Sequence, residues 1–211
     1  MQDVQAKPYG LLEGKGTMKF SVIIPAHNSA AFIRRALDSI AGQTYKDYEL
    51  IVVCDSCEDD TEAIARSYGA RTAVVNNHCD GPTRQTGLDM ATGDWVLWMD
   101  DDDWWVRPDV LELLACRLRD EDILAFSFEW PDGRVATPRG NRGFYWPALW
   151  TKCWRRDFVS GVKFHNVQRI SDWEWWCDVA KLNPRISEWN IVFYHYNYLR
   201  KGSQTDRRLN G

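Results

Sequence analysis

Four consecutive carboxylates, Asp100 to Asp103, follow the apolar run Trp95-Val96-Leu97-Trp98-Met99 and precede Trp104-Trp105. Like charges this close repel, so a fold retains such a cluster most readily when a cation neutralises it. Oxygen-only ligands suit hard divalent ions, Mg²⁺ or Mn²⁺, which bridge substrate phosphates to one or two protein carboxylates. The run thus suggests a diphosphate substrate. Its competing account is a solvated acidic loop, or the start of a helix near Pro108, because acidic groups suit the positive end of a helix. Taken alone, the run leaves both open.

The elements that must position these carboxylates follow from periodicity. Residues 20–25, FSVIIP, are apolar, β-branched and stopped by proline, the pattern of a buried parallel strand. A helix follows, capped by Asn28 or Ser29, with Phe32, Ile33, Ala36, Leu37 and Ile40 at helical spacing up to Gly42. The cycle repeats as strand 49–54, helix 61–69, strand 71–75, helix 82–91 and strand 94–100. Strand alternating with helix implies a parallel sheet with right-handed crossovers. In open α/β sheets ligands bind beyond the carboxyl ends of the strands, where His27, Asp55 and Asp100 to Asp103 all fall. Past Pro108 a helix at 109–119 and a strand at 122–130 turning at Pro131-Asp132-Gly133 are expected. An aromatic segment at 144–154 suits a compact lobe or lid, and a helix at 172–182 and a β stretch at 188–199 complete the chain.

The chain has 211 residues, enough for one domain with a substantial core. Segment 1–17 is polar and aperiodic and reads as a mobile tail, with 18–211 as a single domain. No stretch approaches the roughly 20 apolar residues of a spanning helix, and the start lacks a signal-peptide pattern, so a soluble, cytoplasmic protein is expected. A net charge of −4 gives no overall footprint for nucleic acid or anionic membrane. Lys152, Arg155 and Arg156 form one local basic patch, read as a solvated face. The six cysteines are too scattered for a secreted scaffold and read as free thiols. Cys54 and Cys57 have CxxC spacing but lack a second pair for zinc.

Four motifs occur in order: Ser21-Val22-Ile23-Ile24-Pro25-Ala26-His27-Asn28; Cys54-Asp55-Ser56-Cys57-Glu58-Asp59-Asp60-Thr61; Gly81-Pro82-Thr83-Arg84-Gln85; and Ala91-Thr92-Gly93-Asp94 leading into the aspartates. Over roughly residues 19–110 this pattern resembles the family 2 glycosyltransferases. The resemblance implies a GT-A, Rossmann-like α/β fold, a mostly parallel sheet flanked by helices, with a small aromatic-rich acceptor lobe. Residues 18–107 would form the nucleotide-sugar-binding half and 108–211 the acceptor-binding and lid half. It also implies an inverting transfer from a nucleotide-diphosphate sugar, a UDP-sugar foremost, with Mn²⁺ or Mg²⁺. The acceptor would be a hydroxyl on a glycan, lipid carrier, protein or modified nucleic acid, and a second copy could complete the small acceptor lobe.

Carried onto this sequence, the Pro25-Ala26-His27-Asn28 turn meets the base or ribose, although a strand stop and helix cap explain it equally well. Asp55 accepts from a base imide N–H or caps a helix; Arg84, a planar and permanent cation, contacts base or phosphates. Asp100 and Asp101 join the nucleotide-sugar set, with Asp100 facing the ribose. Asp102 holds the metal, or Asp103 does if the register is counted back from Pro108-Asp109. Asp172 resembles the family's base at a helix start, with Glu174 in reserve. His195 matches a late metal ligand or diphosphate contact, and Arg200, Lys201 and Ser203 a diphosphate-clasping lid. Trp104, Trp105 and Trp173 are candidates to stack on a sugar ring. A sugar nucleotidyltransferase and a non-catalytic nucleotide-sugar-binding module are the rivals; the former is disfavoured because no Gly-rich phosphate loop follows the first strand.

Overall fold

The structure, a computed structural model, describes residues 18–140, 143, 145–167 and 171–197. Its first half alternates as the sequence predicts. β1 (Phe20–Ala26) leads into α1 (Ile33–Ala41), β2 (Tyr48–Asp55), α2 (Thr61–Ser67), β3 (Arg71–Val75), α3 (Asp80–Met90) and β4 (Trp95–Trp98). β1 pairs in parallel with both β2 and β4, and β2 with β3, so every strand of this half ends on one side of the sheet. Phe20, Val22, Ile23 and Ile24 of β1 are all fully buried, as expected for a central strand covered on both faces.

The second half of the sheet is mixed in direction. After β5 (Trp104–Trp105) and α4 (Val110–Arg117), β6 (Ile123–Glu129) and β7 (Val135–Ala136) form the expected hairpin. A 3₁₀ turn (Leu149–Thr151), β8 (Lys152–Arg155), α5 (Arg156–Val159), α6 (Ser171–Lys181) and β9 (Ile186–His195) follow. The strand order is β3-β2-β1-β4-β8-β6-β9-β5, with β7 beside β6. β8 pairs antiparallel with β4 and β6, β7 with β6 and β5 with β9, whereas β6 and β9 pair in parallel.

Two helix starts differ from the sequence expectation by more than one residue, and each has an identifiable setting. α1 starts at Ile33 without a side-chain cap; the Ser29 carbonyl instead accepts the N–H groups of Phe32 and Ile33, while Asn28 Oδ1 accepts the Glu58 N–H at 2.8 Å. α3 begins at Asp80, two residues before the expected 82; the Asp55 carboxylate of β2 holds its start through the Cys79 N–H and the Thr83 hydroxyl. The aromatic segment expected as a lobe or lid contributes an inner strand instead: β8 lies between β4 and β6, and Trp150 and Trp154 are buried. Lys152, expected on a solvated basic face, has no exposed surface. Among the described residues no helix is long and apolar enough to cross a membrane.

Gly93 sets where β4 begins. A Cβ there would lie 2.8 Å from Lys19 O, Phe20 C and Ser21 N, all backbone. Gly93→Ala is therefore expected to destabilise the chain by about 1–3 kcal/mol, read as a lowered urea midpoint at unchanged slope.

Candidate active site

Three parallel strand ends meet at His27. Register places Ala26 beside Cys54, and His27 Nδ1–H donates to the Asp55 carbonyl at 2.6 Å. The His27 N–H points the other way, donating to Asp101 Oδ2 at 3.3 Å beyond β4. Asn28, Ser56 and His78 all take positive φ, at 47°, 54° and 50°, so the loops around this junction are bent sharply back. His27 and Asn28 are exposed at the tip, whereas Ala26 is buried.

Asp55 organises the floor. Its Oδ1 accepts from Ser56 Oγ (3.0 Å), Asn77 N (2.8 Å) and His78 N (3.0 Å), and its Oδ2 from Cys79 N (3.1 Å) and Thr83 Oγ1 (2.8 Å). Burial opposes its charge, but these donors outweigh burial and hold its pKa below the usual value. With both oxygens filled and 7% of its surface exposed, Asp55 is not presented to a base imide; it fixes the 76–79 loop and the start of α3. Asp55→Asn sets an amide N–H₂ against N–H donors and is expected to cost about 2–4 kcal/mol in chemical unfolding.

The aspartates separate by environment. Asp100, Asp101 and Asp102 are half-buried on the site side. Burial and repulsion from neighbouring carboxylates push Asp100 and Asp101 up to about 7, despite Arg84 beside Asp100 and the His27 N–H on Asp101. Such an excess of negative charge suits a divalent cation. Asp103 has no exposed surface; its Oδ2 accepts from Tyr194 Oη at 2.7 Å and its Oδ1 from Asn197 N at 2.7 Å. The structure thereby places Asp103 in the core, out of reach of a metal shared with substrate. The same Tyr194 hydroxyl accepts the Asp100 N–H at 3.0 Å, so one phenol fixes both ends of the run.

Arg84 joins the two halves of the chain. Only 7% exposed, it reaches from α3 to Asp100 Oδ1 (3.3 Å) on one side and to Asp172 Oδ1 (3.2 Å) on the other. Burial works against its charge, and Asp172, Asp100 and Asp80 more than restore it. The α6 start is brought this close by Gly81, where a Cβ would lie 2.0 Å from His165 O, and by Cys79 Sγ donating to Val167 O at 3.3 Å. Asp172 is half-buried beside the exposed Trp173, which presents 53% of its surface; Glu174, half-buried, follows in the same turn.

Comparison with known proteins decides the family. The model of glycosyl transferase family 2 matches residues 21–168. The chain belongs to this family. An uncharacterised glycosyltransferase of Rickettsia prowazekii is 41% identical over 112 residues, covering 50% of this chain and 35% of the relative. A GalNAc(5)-diNAcBac-PP-undecaprenol β-1,3-glucosyltransferase of Campylobacter jejuni is 35% identical over 92 residues, covering 40% and 30%. The chain thus spans about a third of the length of these curated relatives. Residues 1–349 of TarS from S. aureus, solved in complex with UDP-GlcNAc, superpose with a TM-score of 0.78 at 26% identity, covering 89% of this chain and 60% of that one. A GDP-Man and Mn²⁺ complex of a Pyrobaculum calidifontis mannosyltransferase, at 18% identity and a TM-score of 0.71, shares the fold. The fold of this family 2 member is GT-A.

Within this family 2 frame some candidates change role. Trp104 has no free face: the Arg35 guanidinium lies 3.1 Å from its ring centre and His195 stacks at 3.8 Å, so it cannot also stack on a sugar. Trp105 is buried. His195 gives Nδ1–H to Glu129 Oε1 at 2.8 Å and packs on Trp104, which commits it to the β5–β9 edge. Among the described residues no three His, Cys, Asp or Glu side chains gather to hold a metal, so His195 does not join Asp102 in such a group. Arg200, Lys201, Ser203 and the 1–17 segment lie outside the described residues. Sequence reading missed Tyr194, the clamp of the acidic run, and Lys152. Lys152 Nζ donates to the Trp146 carbonyl, to Ala148 O at 3.0 Å and to Thr151 Oγ1 at 3.0 Å, with the Trp176 ring 4.9 Å away. Burial pushes its pKa down to about 7, with Asp172 opposing. Neither residue stands in a local pattern that announces its role.

Proposed function

We propose that this chain transfers a sugar from a UDP-sugar to an acceptor hydroxyl by a single in-line displacement with inversion. The observation that carries the reading is the Asp100–Arg84–Asp172 bridge, which ties the acidic run after β4 to a carboxylate at the start of α6. The likeness to TarS, solved with UDP-GlcNAc, supports uracil in the donor.

In this reading residues 18–107 bind the donor, with the exposed His27-Asn28 tip, Asp100 and Asp101 lining its nucleoside side. Asp102 would hold Mg²⁺ or Mn²⁺, because its oxygens suit a hard cation of the kind proteins bind through one or two carboxylates. That ion would stabilise the charge developing on the departing diphosphate. Asp172, fixed by Arg84, takes the acceptor proton as the hydroxyl attacks the anomeric carbon. Arg84 thereby spaces base and donor rather than binding phosphate itself.

Thermal unfolding with nucleoside diphosphates tests the donor assignment, because a ligand of the native state raises its melting temperature by mass action. UDP with Mn²⁺ is expected to raise Tm more than Mn²⁺ alone, and more than GDP with Mn²⁺. No additional shift with UDP overturns the donor; a shift without UDP release from any UDP-sugar, across a broad panel of hydroxyl acceptors, overturns the transferase assignment.

A further inference from the structure

The turn that carries Asp102 is held by residues to which the transfer chemistry gives no part. The Asp103 N–H donates to the Asp100 carbonyl at 3.2 Å, closing a β-turn with Asp101 and Asp102 at its centre. This turn is fastened from the end of β9, in the other half of the chain. Tyr194 Oη accepts the Asp100 N–H at 3.0 Å and donates to Asp103 Oδ2 at 2.7 Å. Just beyond β9, the Asn197 N–H donates to Asp103 Oδ1 at 2.7 Å and Asn197 Nδ2 to the Asp102 carbonyl at 3.3 Å. From the first half, the His27 N–H and Arg84 reach the turn's side chains at Asp101 and Asp100, whereas Tyr194 and Asn197 hold its backbone. The phenol is itself fixed: it has no exposed surface, and the Trp150 ring stacks on it at 4.6 Å with 11° between the planes. The pairing of β9 with β6 slips between Phe126 and Ser127 and again between Ser127 and Phe128, the residue opposite Tyr194. Such irregularities re-aim side chains beside active sites.

We propose that Asn197 and Tyr194 are positioning residues for the metal: they preset the turn over residues 100–103 so that the Asp102 carboxylate meets the cation without rearrangement. The inference rests on the reading of Asp102 as the metal ligand. Partners beyond the ligands themselves orient those ligands, and losing one typically lowers metal affinity by about 10–100-fold. The Asn197 amide acts at the ligand itself, because it fixes the peptide carbonyl of Asp102 and so the backbone from which that carboxylate projects. Tyr194 acts at the two ends of the turn, where a single hydroxyl links the Asp100 N–H to the Asp103 carboxylate. The metal site of the first half is thereby assembled by the last strand of the second, and β9 must be docked before the acidic turn is preset.

Titration calorimetry of the whole chain with UDP, once in EDTA and once in Mn²⁺, separates the metal from the nucleotide. Asn197→Ala removes the bond to Asp102 but keeps the backbone N–H that Asp103 accepts, and the position is half-buried, so no core packing is lost. Its metal-free UDP affinity and its urea midpoint are expected to match the parent's, while the gain in UDP affinity on adding Mn²⁺ shrinks about tenfold. Asn197→Leu, close to asparagine in size but without a donor, is expected to lose the gain equally. A leucine variant that restores it makes the effect one of packing and overturns the proposal. Tyr194→Phe, which leaves the Asp100 N–H without its acceptor, is expected to lower both the Mn²⁺ gain and the urea midpoint. An Asn197→Ala chain with the parent's full Mn²⁺ gain overturns the proposal, as does an equal loss of UDP affinity with and without the metal. If the parent itself gains nothing from Mn²⁺, the reading of Asp102 fails and this inference falls with it. A parent that gains, with both Asn197 variants gaining as much, leaves that reading standing and removes this inference alone.

Discussion

Alanine at position 102 is expected to lower kcat/KM for UDP-sugar turnover by about 10³-fold, or about 4 kcal/mol of transition-state stabilisation, while leaving the urea midpoint unchanged. The separation of environments along the acidic run dictates both halves of this expectation. Asp102 is half-buried, so truncating it removes no core packing. Asp103, one residue on, is fully buried under Tyr194 and Asn197. Asp103→Asn is therefore expected to act in the opposite manner, lowering the urea midpoint first. If Asp102 holds the metal, its alanine variant also loses the part of UDP stabilisation that depends on Mn²⁺, which thermal unfolding reads without any turnover. An Asp102→Ala chain that keeps its Mn²⁺-dependent UDP shift and its rate overturns the assignment.

That contrast also shows how far the sequence reaches. β1 to β4 are legible because each strand is an apolar run closed by Pro, Gly or a polar turn, and each helix repeats its buried residues at helical spacing. The placing of ligands at the strand ends follows from a parallel sheet. What settles Asp103 is a phenol 91 residues away in sequence, on a strand that enters the sheet from the far edge. Trp104 is likewise decided by Arg35 of α1 and His195 of β9, which cover its two faces. β8 escaped notice because its four residues, Lys-Cys-Trp-Arg, carry neither a β-branched run nor strict alternation, and only the gap between β4 and β6 makes them a strand. Asp55 illustrates a subtler failure: the residue is visible as a strand-end acid, but its carboxylate is engaged by the loop that bends at His78 and by Thr83 of α3.

Asp172→Asn is expected to lower kcat by about 10²–10⁴-fold, the range for removing a positioned general base, with little change in KM for the donor. Asparagine keeps the shape of the side chain and an oxygen to face Arg84, so the bridge to Asp100 loses charge but not its geometry. The variant should bind UDP and Mn²⁺ as the parent does and fail at the chemical step. Glu174 provides the control: it lies in the same helical turn and, among the described residues, forms no ion pair with Arg84. Glu174→Gln is expected to change kcat by less than about threefold. The roles would be exchanged if Glu174→Gln produced the large loss and Asp172→Asn the small one. The Arg84 link makes a further discrimination available through the pattern of kinetic loss. A carboxylate that merely held Arg84 in place would, when neutralised, disturb Asp100 and raise KM for the donor together with any fall in kcat. A base acting on the acceptor lowers kcat alone, because its proton transfer contributes in the transition state and not in the ground-state complex.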